Sequence, residues 1–178
     1  MLRHRAFLRV LWRSRGSAVI VTRLFESTTT VGNAADTNEA DLHTFTLPAN
    51  TLTKNGDAIL IRTWIQCLAS GNAKHAQVYF GSTVIGNSTQ QTFNNVGFFV
   101  DAMVFRTGAA TQLAVCDAVQ PNMNAAWSVA AGGGLNTSTP GETLSGTVSI
   151  RITGRSPIAG EADAVSALAT TIDYLPAA

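Results

Sequence analysis

The sequence predicts an all-β protein: a single antiparallel β-sandwich, most simply of jelly-roll type, preceded by a basic N-terminal arm. Three observations predict it. From about residue 40 onward, short apolar runs alternate with polar residues at period two. Turn-forming Gly, Asn and Pro pairs punctuate those runs at short intervals. Hydrophobic residues form 46% of the chain and charged residues only 13%, about half the usual share of roughly 25%, which excludes a disordered chain. A length of 178 residues suffices for one domain with a proper core and is short for two. An up-and-down barrel is the alternative architecture.

The net charge of +1 hides an asymmetry. Residues 1–25 hold six arginines (Arg3, Arg5, Arg9, Arg13, Arg15, Arg23) and no acid, leaving six basic residues and all 11 acids to the remainder, about five negative charges net. The chain is therefore divided into a basic arm or tail (1–25), a small polar linker (26–39) and the sandwich domain (40–178). Arg5, Arg9 and Arg13 recur every fourth residue and would line one stripe of a short helix, with Phe7, Leu8 and Leu11 away from it. Such a segment suits contact with nucleic acid or an anionic surface, docking on a neighbouring subunit, or an organelle-targeting role; the alternative is a disordered tail or residues upstream of the true start. Arginines interrupt every apolar stretch before Gly16, which argues against a secretory signal, and no run approaches the roughly 20 apolar residues of a membrane-spanning helix.

Within the domain, the first strand is His43–Leu47, ended by Pro48. Asn55-Gly56 is the strongest turn pair, because both residues tolerate positive φ. Ala58–Leu68 follows, with Ile59, Ile61, Ile65 and Cys67 on one face and Leu60, Arg62, Trp64 and Gln66 on the other. Ser70-Gly71-Asn72 is read as a turn, and residues 74–80 as the next strand. Phe98–Arg106 and Thr111–Val119 form a hairpin across Thr107-Gly108-Ala109-Ala110. Residues 121–142 read as an irregular region with a flexible tip at Gly132–Gly134. Val148, Ile150 and Ile152 mark a half-buried strand, and Ala164–Leu175 the last one.

The residues offer little for catalysis. His43 and His75 sit on strands and His4 in the arm, where each reads as a surface or strand-face histidine. There is no nucleophile elbow, phosphate-cradling loop or dinucleotide fingerprint. Cys67 and Cys116 lie in apolar runs and read as buried free thiols, matching no zinc spacing. Asp101 and Asp117 fall on opposing strands of the hairpin and are expected at separate solvent-facing positions, because like charges at neighbouring positions repel. Glu161-Ala162-Asp163 supplies too few oxygen donors to make more than a weak calcium loop. The expectation is a protein that is not an enzyme, with no catalytic residue, cofactor, metal or small-molecule substrate. The candidate interface residues are Arg5, Arg9, Arg13 and Arg15 of the arm, and Trp64, Tyr79, Phe99 and Phe105 on strand faces opposite the core. For these aromatics a second buried face weighs equally with a subunit interface, and a sugar-stacking site comes third.

Three segments carry a resemblance: Thr46-Leu47-Pro48-Ala49-Asn50-Thr51-Leu52 with Asn55-Gly56-Asp57 and the strand to Trp64; Val78-Tyr79-Phe80-Gly81-Ser82-Thr83-Val84; and Val104-Phe105-Arg106-Thr107-Gly108-Ala109-Ala110-Thr111-Gln112. In order and spacing they resemble small β-sandwich structural proteins of tailed bacteriophages, across roughly residues 40–175. The resemblance implies a virion protein, foremost a capsid decoration (cement) protein that forms a homotrimer and sits on the major capsid protein. The alternatives are a tail-fibre or receptor-binding module that recognises host glycan, and a jelly-roll capsid subunit touching nucleic acid through residues 1–25. No membrane partner is expected. The basic arm departs from the pattern.

Overall fold

The computed structural model describes residues 13–14, 17–18, 20–88, 90–119 and 136–177. Every regular element among them is a β-strand: β1 (Arg13–Ser14), β2 (Ser17–Ala18), β3 (Thr22–Ser27), β4 (Val31–Gly32), β5 (Ala40–Leu47), β6 (Ala58–Phe80), β7 (Thr83–Asn87), β8 (Gln91–Gly108), β9 (Thr111–Val119), β10 (Asn136–Ser138), β11 (Val148–Arg155) and β12 (Val165–Leu175). All pairings are antiparallel. The all-β sandwich read from period-two patterning is the observed class.

Two curved layers share one strand. The first sheet runs β10-β9-β8-β6-β12, with β3 and β4 along the far side of β12; it uses residues 58–74 of β6. The second runs β7-β6-β11-β5 and uses residues 75–80 of the same strand. The core fills the space between them. Ile61, Val100 and Ile172 from one layer and Val78, Phe80 and Ile150 from the other are each fully buried in a single cluster. Strand alternation aims these side chains inward, and removing them from water is the main stabilising term. The layers meet so closely at Gly86 of β7 that a Cβ there would lie 2.7 Å from Cys116 Sγ of β9.

The expected turn at Ser70-Gly71-Asn72 is instead part of the 23-residue strand β6. The pairing with β8 shifts register between Ala69 and Ala73. Lys74, fully buried, donates from Nζ to the Ser70 carbonyl (3.2 Å), Ser70 Oγ (2.8 Å) and the Asn72 carbonyl (3.0 Å). Those bonds satisfy the irregular backbone, so the chain passes from one layer to the other without reversing. The stretch 26–39 is likewise more than a linker. Glu26, Ser27 and the pair Val31–Gly32 hydrogen-bond to β12, so the first sheet begins at Thr22. The sequence signal was weak there because small polar residues dominate, and only the exposed edge of β12 recruits them. The Phe98–Arg106/Thr111–Val119 hairpin is observed, within longer strands. Gly56 turns with φ of 94°, as the Asn55-Gly56 pair predicts. Of residues 121–142, Asn136–Ser138 adds a short edge strand to β9; the Gly132–Gly134 tip lies outside the described residues.

Candidate interaction surface

The side of the first sheet that faces away from the core is built by the alternate residues of β6, β8 and β9. Its rows follow from register. Trp64 lies opposite Phe99; Arg62 opposite Asp101, and Asp101 opposite Asp117; Leu60 opposite Met103, and Met103 opposite Val115; Phe105 opposite Leu113. A charged row is thus flanked on both sides by apolar ones. Trp64 and Phe99 pack with ring centroids 4.9 Å apart and planes tilted by 49°. Trp64 is 41% exposed, Leu68 46% and Leu113 39%, three large apolar side chains standing in water at separate points along the face. Met103, Phe105 and Val115 are half-buried.

Asp101 and Asp117 do not occupy separate positions; they are direct cross-strand partners. The hairpin register places them so, and Arg62 relieves the repulsion by reaching Asp101 Oδ2 from Nε at 3.3 Å. Both members of that ion pair are about two-fifths exposed, so it contributes little on its own. Asp117 accepts the neighbouring N–H of Ala118 at 2.8 Å, and among the described residues no cation pairs with it. The same row continues to Thr171 and Glu26 on β12 and β3.

Of the residues singled out from the sequence, Trp64, Phe99 and Phe105 share this face. Tyr79 does not. It lies on the outer side of the second sheet, beneath the Arg151 guanidinium at 4.3 Å from the ring centroid, with its one hydroxyl proton shared between Glu39 Oε2 (3.2 Å) and Gln77 Oε1 (3.1 Å). Burial and the Glu39 carboxylate both push the phenol above its ordinary pKa. Separation follows from β6 crossing between layers, which sequence alternation alone does not reveal. Arg5, Arg9 and Arg15 lie outside the described residues, and Arg13 is described only as backbone of β1. Leu68 and Leu113 are not among the sequence candidates; Leu68 is an apolar residue at an outward position of a strand whose inner face the alternation assigns, which is a signal, whereas the outward face of Thr111–Val119 is set only by its pairing with β8.

The groups weighed for chemistry have structural partners. His43 is buried rather than surface-facing: Nε2 is 2.8 Å from the Thr29 carbonyl, so that nitrogen carries a proton, and Nδ1 is 2.7 Å from Thr170 Oγ1, itself 2.8 Å from Thr63 Oγ1. This chain of polar groups ties β5 of one layer to β12 and β6 of the other. His75 Nε2 meets Asn87 Oδ1 at 2.6 Å. Cys67 and Cys116 are free and buried, and burial pushes both thiols up to about 12, leaving no thiolate near neutral pH. The Glu161 carboxylate accepts from Ser156 Oγ and from Asn72 Nδ2 (2.6 Å), which hold its pKa below the ordinary value. Among the described residues no cluster of three or more His, Cys, Asp or Glu is placed to hold a metal ion.

No protein-family model matches the chain, and no curated protein does. Among solved structures it is similar to the CBM2 module of the evolved Dit of Lactobacillus casei BL23 phage J-1, at 8% identity and a TM-score of 0.41, over 76% of this chain and 69% of that one. A likeness that loose carries no argument about what this chain binds.

Proposed function

We propose that the chain is a structural protein of a tailed-phage virion that works by subunit contact and catalyses no reaction. The observation that carries the reading is the outer face of the first sheet, where a charged row lies between the Trp64–Phe99 row and the Leu60–Met103–Val115 row and Trp64, Leu68 and Leu113 stand in water. Interface centres are more apolar than the surrounding surface and enriched in aromatic anchors such as Trp64. The strand-and-turn segments resembling phage structural proteins support the virion setting. In its finer form the protein is a capsid decoration subunit, a homotrimer seated on the major capsid protein. Mass spectrometry and cryo-electron microscopy of purified particles test this: density for the sandwich on the head surface is expected, and absence of the chain from mature particles would sink it. Light scattering after size exclusion should return the mass of a trimer; a monomer at micromolar concentration counts against the decoration form.

A second reading is favoured by one feature, the Trp64–Phe99 pair on an open strand face. Aromatic rings held in that way stack on sugar rings, so a tail-borne module binding host glycan is the alternative. It predicts binding on a host polysaccharide array that Trp64→Ala abolishes. A blank array removes it.

A further inference from the structure

The charged row of the outer face is unbalanced. Two carboxylates, Asp101 and Asp117, stand at directly opposed positions against one guanidinium, and Arg62 reaches only Asp101. Like charges opposed on adjacent strands repel, so the face gains from a cation placed beside Asp117. Apolar rows on either side require that this cation arrive among apolar side chains. The chain carries such a segment. Residues 1–12 read MLRHRAFLRVLW, with Arg3, Arg5 and Arg9 set among Phe7, Leu8 and Leu11 and no acid, while the chain beyond residue 25 is net negative. We propose that the outer face of the first sheet receives the basic arm, residues 1–12, of a second copy of this chain.

The inference rests on the reading of the chain as an assembling structural subunit, and names what that subunit holds. The reading as an assembling subunit favours a second copy, and among the described residues the face is uncovered, with Trp64, Leu68 and Leu113 exposed. Two such faces pressed together would set four aspartates against two arginines, so arm-to-face exchange is the better-matched contact. Reach is ample: 12 extended residues span about 40 Å, and three strands are only about 10 Å wide from first to last. An arginine can fork onto a carboxylate and also stack on an indole, and Trp64 lies one row from Asp101. Arm-to-face contact is head-to-tail, a geometry that closes into a ring when the rotation permits.

The full chain is tested with a benzoylphenylalanine photo-cross-linker in place of Leu113, in a mixture of light and heavy isotope copies. Cross-linked peptides joining that position to residues 1–15 are expected, with light–heavy pairs at their statistical share. Pairs confined to one isotope, or cross-links that never include the arm, overturn the proposal. Asp117→Lys, which supplies the cation in place, should weaken self-association roughly tenfold in sedimentation equilibrium while the protein melts no earlier. Unchanged association overturns the proposal as well. A chain that makes these cross-links yet is missing from virions defeats the functional reading alone; one present in virions without arm cross-links defeats only the present inference.

Discussion

Asp57 shows how a single side chain can close a sandwich. It is buried, and Oδ2 accepts the N–H groups of Thr53 and Lys54, both at 2.7 Å, while Oδ1 accepts that of Ala177 at 2.9 Å. Burial pushes its carboxyl up, but the N–H groups of Ala177, Lys54 and Thr53, with the Tyr174 hydroxyl, outweigh burial and hold it below 3.8. A carboxyl with a depressed folded-state pKa contributes stability that is present above the unfolded value and disappears as pH falls through the folded one. Urea denaturation should therefore show stability falling below about pH 4. Asp57→Ala should lose about 3 kcal/mol at pH 7 and flatten that acid dependence, since several charge-assisted bonds disappear together. An unaltered acid limb in the variant would contradict the assignment. The two thiols give a second check at this scale. With both pushed up to about 12 and both buried, iodoacetamide at pH 8 should label neither in the folded protein and both in urea.

At the scale of elements, the long strand β6 does most to organise the molecule. Its inner residues belong to both layers, so the sheets are joined covalently along their packing interface. One close approach of the layers falls at Gly86, where Cys116 Sγ occupies the space of the missing side chain. Gly86→Ala should destabilise by about 2 kcal/mol through overpacking. Removing the sulfur in Gly86→Ala/Cys116→Ala leaves the new methyl 3.8 Å from the residue-116 Cβ, ordinary contact. The double variant should recover most of the Gly86→Ala loss beyond what Cys116→Ala alone predicts, a coupling that thermal melts can read. Simple additivity would mean that the contact is relieved by backbone movement. The first element of the sheet, β3, was hidden at this scale. Its edge position leaves Arg23 and Glu26 in water, and what fixes it is a partner 150 residues away, Asp173, bonded to Arg23.

At the scale of the whole molecule, basic charge gathers early in the sequence and opposed carboxylates lie on the outer sheet face, the pairing on which the proposed assembly rests. Residues 1–25 hold six of the chain's 12 basic residues, three of them in the 1–12 arm, and the chain beyond residue 25 is net negative. Contacts of that kind weaken as ions screen them. Self-association should decline between 0.05 and 0.5 M salt, two trial concentrations separated by about threefold in Debye length, whereas folding should change little. Trp64→Ala separates the same two properties. Its side chain is two-fifths exposed, so the melting temperature should hold within about 3 °C while association falls. A large drop in melting temperature would instead assign the residue to the fold.

Local pattern is enough for the main strands, the inward face of Ala58–Leu68, the Asn55-Gly56 turn and the hairpin after Phe98, because period-two alternation and positive-φ turns are local properties; the edge strands β3, β4 and β10 lie outside its reach. The sequence by itself also sets apart the basic arm, which composition alone reveals. Tertiary structure alone makes Ala58–Phe80 one strand, since Ser70-Gly71-Asn72 reads locally as a turn and only in the fold does the buried Lys74 bond to the Ser70 and Asn72 carbonyls. Only register decided that Asp101 faces both Arg62 and Asp117, and that Trp64 and Phe99 share a face from which Tyr79 is absent. Side-chain alternation tells which residues share one side of a strand; which strands lie side by side is fixed by pairings across long stretches of chain, and those depend on how the whole core packs.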